Sequence, residues 1–350
     1  MAGVQVRRID PRDEAAFDAW FEVLHVTDVE RWPDGGSGWQ RVERLAMALN
    51  EDGPEEHRLL VATTTGDGGG DGGAGAVVGI GDVELFRREN LHVARLEVRV
   101  LPDARRQGVG RAIVEVAEAM ARQGGRSELC GMDDTPLRAG HVDTAKPFAE
   151  SLGFAVAQRM ERRRLSVPLP PAQLAALEQD PRARPAGYSL ITFGDRWPDE
   201  YLADRCELGR RMSTDVPTGE QELDEEVWDG VRVRQVEAAL AAQDRAKVTT
   251  AACHDDSGRL VAFTEVVIPR GASSSAWQHD TLVMREHRGH GLGFAMKVAN
   301  FVAVTRAHPE VRSISTWNAA ENAHMIAVND DMGFKVVSRA AYWQKRLDAP

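Results

Sequence analysis

The chain has 350 residues, 43% of them hydrophobic and 28% charged, which suits two globular domains and not a disordered, collagen-like or coiled-coil protein. The net charge of −11 disfavours a nucleic-acid binder that works by neutralising phosphates. No apolar run is long enough to cross a bilayer, the acidic N-terminus is unlike a signal peptide, and the three cysteines lack metal-ligand spacing. We therefore expect a cytoplasmic protein with no metal, no membrane partner and no nucleic-acid partner.

The first half of the chain opens with helices and continues with strands. These elements are predicted at 11–24, 41–48, 59–65, 76–86 and 93–100. A glycine-rich run at 66–75 separates two of the strands and predicts a hairpin with a long tip. A glycine turn follows, then a helix ending near Gln123, a strand over 127–131 and a helix ending at Gly153.

A proline-rich segment divides the chain. Residues 166–187 carry five prolines and interrupt the periodic pattern, which is typical of an interdomain connection. A short helix is predicted within it, at 172–179. We place the first domain at 1–167, the linker at 168–186 and the second domain at 187–350.

The second half repeats the order of the first. Its elements are predicted as helices at 198–210 and 222–243, a strand at 276–284, a helix at 294–305, a strand at 312–317 and a helix ending at Gly333. Arg105 and Arg288 are 183 residues apart, and Gly153 and Gly333 are 180 apart. Two landmarks at nearly one offset predict a duplicated domain. Each copy should be an α/β (α+β) domain, with a mixed, mostly antiparallel sheet flanked by helices.

Both copies carry the pattern R-x-x-G-x-G between a strand and a helix. The matching residues are Arg105, Gly108 and Gly110 in the first copy, and Arg288, Gly291 and Gly293 in the second. Glycines let the backbone approach a ligand, and the free N–H groups at a helix start favour an anion. Neither turn ends in Gly-Lys-Ser/Thr, and both lie well inside their domains, so the Walker and dinucleotide motifs do not fit. The repeated turn predicts a phosphate-binding site.

With these turns the chain resembles the GNAT superfamily of acetyl-CoA-dependent N-acyltransferases in its tandem form, over nearly its whole length apart from the linker. The resemblance implies that acetyl-CoA is the co-substrate and that the turns hold its pyrophosphate, with Gly289, His290 and Leu292 completing the second turn. It also implies that Leu282 and Val283 present their backbone to the thioester. A backbone N–H there can stabilise the oxyanion that forms when an amine attacks.

The last helix of each copy distinguishes the two halves. The resemblance implies that Asn318 and Asn322 contact the coenzyme and that Asn329 stands where many relatives carry a Tyr that protonates the leaving thiolate. Asn cannot act as a general acid, so the thiolate would leave unprotonated or take a proton from water. The first copy has neither Asn nor Tyr in the corresponding residues 143–149.

The strand before the turn distinguishes them again. In some relatives catalytic bases lie nine or eleven residues ahead of the turn's first residue, on one face of the strand. These positions are His279 and Trp277 in the second copy, but Leu96 and Ala94 in the first. A histidine can accept a proton near neutral pH. We therefore expect the second domain to catalyse and the first to be a degenerate scaffold that can still hold coenzyme A.

Two acids lie near the same strands. Glu265 is a second candidate catalytic residue, although its acidic counterpart Asp82 in the first copy suits a shared structural role as well. Strict alternation along the strand predicts that Asp280 faces away from His279.

Residues 220–229 hold six acids, either as a solvated helix start or as a rim that attracts a cationic amine. We expect acetyl transfer to a primary amine of a small molecule, by direct attack in a ternary complex. Alternatives are a mycothiol-synthase-like enzyme, a protein-lysine acetyltransferase, and a non-catalytic acyl-CoA-binding regulatory module. A monomer is expected over a homodimer, because duplication can replace the dimer that many single-domain relatives form.

Overall fold

The structure is a computed structural model that describes residues 3–33, 38–64, 75–271 and 274–348. The predicted hairpin tip at 66–75 lies, except for its last residue, outside these ranges. Among the helices within them, none combines the length and the apolar character that crossing a membrane would require.

The described residues form nine α-helices and twelve strands. The helices are α1 (Glu14–Arg31), α2 (Arg41–Leu49), α3 (Val109–Gln123), α4 (Ala145–Ser151), α5 (Pro171–Gln179), α6 (Leu202–Asp215), α7 (Gly230–Ala242), α8 (Leu292–Ala307) and α9 (Ala323–Met332). The strands are β1 (Val4–Arg8), β2 (Glu55–Thr64), β3 (Val77–Phe86), β4 (Val93–Val100), β5 (Glu128–Pro136), β6 (Ala155–Ser166), β7 (Tyr188–Phe193), β8 (Arg245–His254), β9 (Arg259–Pro269), β10 (Ser275–Val283), β11 (Ser313–Ala319) and β12 (Lys335–Arg346).

The first compact unit consists, within the described ranges, of Met1–Gln158 and Ala340–Pro350. Its strand order is β1-β2-β3-β4-β5, with residues 340–346 of β12 beside β5. Strands β1 to β4 are antiparallel to their neighbours, whereas β4 and β5 run parallel where Val93–Arg95 pairs with Glu128–Cys130. Beyond these three residue pairs β4 and β5 separate.

The second unit consists, within the described ranges, of Arg159–Arg339. Its strand order is β6 (from residue 159), β11, β10, β9, β8 and β7. Most neighbours are antiparallel, but β10 and β11 run parallel where Ser275–Trp277 pairs with Ser313–Ser315. Both units therefore have the same mixed, mostly antiparallel sheet with helices on its faces, which confirms the predicted fold class.

The units differ from the predicted domains 1–167 and 187–350, because each copy's last strand joins the other unit. Residues 160–166 of β6 pair with β11 of the second unit. Residues 340–346 of β12 belong to the first unit, beside β5. Proline content marks where the chain leaves regular structure, but long-range packing decides which strand is the partner.

The proline-rich segment at 168–186 lies within the second unit and is packed against it. The predicted short helix is present as α5, which buries Leu177 in one hydrophobic cluster with Val298 and Phe301 of α8. The segment is therefore part of a core and not a free connection.

Each sheet buries apolar side chains on both faces, because successive residues of a strand point to opposite sides. In the first unit Leu60 packs with Ile113 of α3, while its neighbour Leu59 packs with Trp20 of α1. In the second unit Val266 packs in the cluster of α8, while Phe263 packs in the cluster of α6. The glycine turns lead directly into α3 and α8. Because each of these helices packs on one face of its sheet, the helix fixes the position of the turn.

Candidate active site

The two glycine turns share one local geometry. In each, the arginine Nε donates a hydrogen bond to the carbonyl oxygen of the last residue of the preceding strand. The bond runs from Arg105 to Val100 in the first unit and from Arg288 to Val283 in the second, at 3.1 Å in both. The duplication predicted from spacing therefore extends to the hydrogen bonds of the turns.

Glycines start the helix after each turn. Gly108 and Gly291 are the N-caps of α3 and α8, with φ of 87° and 73°. Side chains rarely adopt this left-handed backbone, which explains the residue type. The N–H groups of the first helical turn have no partner within the helix and can bind an anion.

The turn arginines differ in what they contact. Arg105 donates to both oxygens of the Glu30 carboxylate, one of them at 2.8 Å, and these hydrogen bonds lower the pKa of Glu30. Arg288 is 48% exposed, with longer contacts of 3.4 Å to the Asp215 carbonyl and 3.6 Å to its carboxylate. A phosphate group can therefore reach Arg288 more readily than Arg105.

The last glycines of the turns also differ. A Cβ atom on Gly110 would lie 3.0 Å from the Phe148 ring, whereas a Cβ on Gly293 would meet no described atom within 4 Å. A Cβ atom on Gly291 would lie 3.5 Å from the Cβ of Arg182, so a further arginine side chain starts beside the second turn. The second turn thus has room for a ligand at Gly293, and the first is covered there.

The remaining residues predicted for the second turn contribute backbone more than side chain. Gly289 is exposed with φ of 85°. The His290 ring contacts the Tyr188 ring in a tilted arrangement with the ring centres 5.3 Å apart, and Leu292 is buried in the hydrophobic cluster of Phe263. An anion at this turn would therefore contact N–H groups and Arg288.

A β-bulge interrupts the strand before the second turn. Gln278 pairs with Val266 and Thr281 pairs with Thr264, so two residues of β10 lie opposite Glu265 alone. Those two residues are His279 and Asp280. In the first unit β4 pairs with β3 without a register shift.

The bulge overturns the alternation that predicted Asp280 on the opposite side from His279. Gln278 and Thr281, three residues apart, both hydrogen-bond to Thr264, so they share one face of the sheet. Glu265 and Lys247 influence the pKa of both intervening residues. His279 and Asp280 therefore lie together on the side of Glu265.

Neither of these two side chains forms a hydrogen bond or ion pair within the described part of the chain. His279 is exposed and Asp280 is half-buried. Although its ring reaches solvent, the surrounding protein and the charge of Arg245 lower the pKa of His279 to about 4. Burial and the neighbouring Glu265 raise the pKa of Asp280 to about 6. Of the two, Asp280 has the pKa better matched to accepting a proton near neutrality.

Glu265 is buried and held by three donors. Its Oε1 accepts hydrogen bonds from Trp197 Nε1 at 3.1 Å, Lys247 Nζ at 3.1 Å and Thr249 Oγ1 at 3.0 Å. Burial raises its pKa, but the charges of Lys247 and Arg205 and these hydrogen bonds outweigh that and hold it at about 2. Glu265 is therefore a fixed carboxylate that orders the site and a poor acceptor of protons.

Backbone atoms on the other edge of β10 are available beyond the bulge. Its pairing with β11 ends, within the described residues, at Trp277, so the edge from there to Val283 faces the gap between the strands. Leu282 is buried in the core, and Val283 is half-buried with its carbonyl bound to Arg288. This edge is where the resemblance places the thioester.

The three asparagines predicted around the coenzyme lie near the end of β11 and in α9. Asn329 is fully buried; it donates to Asn318 Oδ1 at 2.7 Å and accepts from Lys297 Nζ at 2.7 Å. Asn322 caps α9 by accepting from Met325 N at 3.2 Å. The side chains of Asn318 and Asn329 therefore link α9 to β11 and to α8, and that of Asn322 caps α9.

Sequence reasoning missed two residues of the site. Strict alternation predicts Asp280 on the opposite face from His279, and only the strand register reveals the bulge that places them together. Lys297 did leave a signal, because it interrupts an otherwise apolar start of α8, Phe294-Ala-Met-Lys-Val-Ala299.

In the first unit the equivalent region is filled by ion pairs. Glu97 precedes Arg105 by eight residues, as Asp280 precedes Arg288. It contacts Arg44 at 3.3 Å and Arg99 at 2.7 Å, and despite burial these charges lower its pKa to about 2. The group that corresponds to Asp280 is thus neutralised.

One group of side chains in the described chain has metal-ligand spacing. His57, Asp82 and Glu84 place ligand atoms within 4.8 Å of one another. Arg44 and Arg95 contact the two carboxylates at 2.8 Å each. These guanidinium groups already supply the positive charge that a metal would bring.

Comparisons with known proteins by family model and by structure both find GNAT domains. Residues 55–156 match the model of an acetyltransferase (GNAT) domain. No curated protein gives a significant match. Among solved structures the chain is similar to a tandem GNAT protein from the clavulanic acid biosynthesis pathway, with 28% identity, a TM-score of 0.78 and 99% of each chain covered. A GCN5-related N-acetyltransferase from Sphaerobacter thermophilus shares the fold at 16% identity, with a TM-score of 0.67 over 98% of this chain and 96% of that one.

Proposed function

Because the chain belongs to the GNAT superfamily in its tandem form, we propose that it transfers an acetyl group from acetyl-CoA to a primary amine of a small molecule. The match to the GNAT domain and the similarity to a tandem GNAT protein support an acyl-CoA-dependent acetyltransferase in general. We place the reaction in the second unit. The observation that carries this is the bulge, where Asp280 is free of hydrogen bonds within the described residues and lies on the strand that leads to the second turn.

The second turn is the proposed donor site. Arg288 and the N–H groups from Gly289 to Gly293 hold the pyrophosphate, since the guanidinium is accessible and the space at Gly293 is open. The thioester lies along the unpaired edge of β10 near Leu282 and Val283. In the first unit Glu30 and Phe148 occupy the corresponding places, which supports a scaffolding role there.

The chemistry is direct attack in a ternary complex. Asp280 takes a proton from the acceptor ammonium, and the freed amine nitrogen forms a bond to the thioester carbonyl carbon. A backbone N–H of β10 stabilises the oxyanion. The C–S bond then breaks with its electron pair on sulfur, and the nitrogen releases its second proton to water as the amide forms. His279, beside Asp280 but less basic, positions the acceptor. Glu265 with Lys247 fixes the strands that carry them.

The charge around Asp280 supports a cationic acceptor. The acidic segment 220–229 is not the helix start that was predicted, because α7 begins at Gly230 with Asp229 as its N-cap. Within that segment Glu226 raises the pKa of Asp280, so the segment lies close enough to influence it. Carboxylates at the site and at its rim attract an ammonium group.

Calorimetric titration with acetyl-CoA tests the donor site. We expect Gly293→Glu to abolish binding, because its carboxylate would stand where the pyrophosphate lies. Gly293→Ala, whose Cβ meets no described atom within 4 Å, is the matched control and should fold normally. Gly108→Glu should leave one binding site intact.

Other results would redirect or overturn the proposal. Loss of binding only in Gly108→Glu would move the reaction to the first unit. Absence of wild-type binding would overturn the acetyltransferase assignment. A panel of polyamines, amino sugars and amino acids then identifies the acceptor class, and a lack of transfer to all of them, with acetylated proteins found by mass spectrometry, would replace the small molecule with a protein lysine.

A further inference from the structure

Lys297 is a buried cation in an apolar helix. It is 2% exposed, and its Nζ donates to Asn329 at 2.7 Å. The same Nζ lies 4.0 Å from Met325 Sδ and 5.5 Å from the centre of the Phe334 ring. Within the described residues no carboxylate pairs with it, and burial alone lowers its pKa to about 7.

The fold does not need a charged residue at this position. The equivalent residue of the first copy, 183 positions earlier, is Val114. Val114 is also 2% exposed and packs in the hydrophobic cluster of α3. An ammonium group in such a place lowers stability, because it loses its hydration without gaining a counter-ion. Lys297 therefore calls for a functional explanation.

Lys297 borders the gap between β10 and β11. It follows Gly293 by four residues, so both lie on one side of α8. Through Asn329 its hydrogen bonds reach Asn318 of β11. Asn318 is three residues beyond Ser315, the last residue of β11 paired with β10. The amine thus lies on the α8 side of the place where the two strands have separated.

We propose that Lys297 donates a proton to the sulfur of coenzyme A when the thioester breaks, and that its side chain forms a thiolate-binding site. The inference rests on the proposed acetyl transfer. As the C–S bond breaks, its electron pair stays on sulfur; one proton passes from the Nζ ammonium to that sulfur, leaving a thiol and a neutral amine. The amine then regains a proton from water. Nζ turns from Asn329 toward the sulfur in this step.

This role accounts for the polar network around the lysine. Asn329 is fully buried, and its side-chain oxygen accepts a hydrogen bond from the Lys297 amine and so positions it. An ammonium beside a thiolate favours the charged form of the thiol. A donor whose pKa lies near neutrality is well matched to transfer at physiological pH.

The ionisation of bound coenzyme A tests the proposal without an acceptor. Coenzyme A with its free thiol is titrated with base in complex with the wild type, and thiolate formation is followed by ultraviolet absorbance. The same titration is made with Lys297→Met, with Lys297→Val, which copies the first unit, and with Lys335→Met, which removes an exposed lysine as the matched control. A bound thiolate and the Lys297 ammonium stabilise each other, so the two groups titrate as a pair, and we expect thiolate to appear in the wild-type complex at a pH about one to three units below that in either Lys297 variant.

Each outcome decides between explanations. Equal ionisation in the wild type and both Lys297 variants would overturn the role of Lys297 while leaving acetyl transfer standing. A shift in Lys335→Met as large as in Lys297→Met would also overturn it, since the effect would not be local. If the wild type fails to bind coenzyme A in calorimetry, the proposed function fails and this inference with it.

Discussion

Replacing Asp280 by Asn removes the proposed proton acceptor with almost no change of shape. The side chain has no hydrogen-bond partner in the described chain, so the amide should leave the fold of the second unit unchanged. General bases contribute about 10²- to 10⁴-fold to a rate, and we expect kcat/KM to fall by that factor in Asp280→Asn.

The pH profile distinguishes Asp280 from its neighbours. With a pKa of about 6, Asp280 is about nine-tenths ionised at pH 7, and the wild-type kcat/KM should fall with unit slope below pH 6. The pKa of about 4 for His279 and of about 2 for Glu265 place their titrations below that limb. We therefore expect His279→Ala to lose less than about tenfold and to keep the limb.

The assay is the release of free thiol from acetyl-CoA, with an amine from the panel that the wild type acetylates, between about pH 5 and 9. Circular dichroism of each variant controls for folding. If Asp280→Asn keeps the acidic limb while His279→Ala loses it, the assignment is reversed and the histidine is the base. If both variants keep it, neither residue accepts the proton.

Two further predictions concern stability. The pKa of Lys297 is about 7 in the fold and ordinarily 10.5, so the unfolded chain binds more protons between these values and wild-type stability should rise with pH across that window. Lys297→Val should remove this pH dependence. It should also raise the free energy of unfolding near pH 6, measured with urea, by a few kcal/mol, since each unit of pKa shift is worth about 1.4 kcal/mol. A wild-type stability that does not change with pH in this window would contradict the prediction. Arg44→Met should lower the stability of the first unit by about 3–5 kcal/mol, because it leaves the buried Asp82 and the half-buried Glu97 without their shared cation. An unchanged urea midpoint would contradict it.

The duplication and the turns could be predicted from the sequence because local geometry requires particular residues there. Gly108 and Gly291 adopt a left-handed backbone, and the arginine three residues before each closes the turn through the strand's last carbonyl. These backbone requirements act over only a few residues, so they appear in the sequence as fixed spacings between arginine and glycine. The resemblance to the GNAT superfamily rests on those spacings.

The bulge could not be predicted in the same way. Alternation assumes that each residue of β10 meets one residue of β9, and two residues opposite Glu265 break that rule. The register is set by pairing between strands, which the local pattern around His279 and Asp280 does not reveal. The exchange of last strands between the units has the same origin, since the partners of β6 and β12 are far away in the chain.

The roles of the predicted site residues could not be assigned from the sequence either, because burial and hydrogen-bond partners depend on residues far away in the chain. His279, Glu265 and Asn329 are all reasonable candidates by type, but only the structure reveals that Glu265 has three donors and that Asn329 is fully buried. A pKa depends on such neighbours more than on residue type. Asp280, one position further along the strand than His279, is therefore the candidate base.

The two copies have placed their charges in opposite ways. In the first unit Glu30 is bound to Arg105 and Glu97 to Arg44 and Arg99, so both of these acids have a cation that stabilises them. In the second unit the half-buried Asp280 and the buried Lys297 have no opposite charge in direct contact among the described residues, and each destabilises the fold in which it lies. In the proposed reaction the carboxylate takes a proton and the ammonium gives one, and a permanent partner of opposite charge would oppose both steps. We therefore propose that the unit with these unpaired groups carries out acetyl transfer and that the unit with satisfied ion pairs supplies stability.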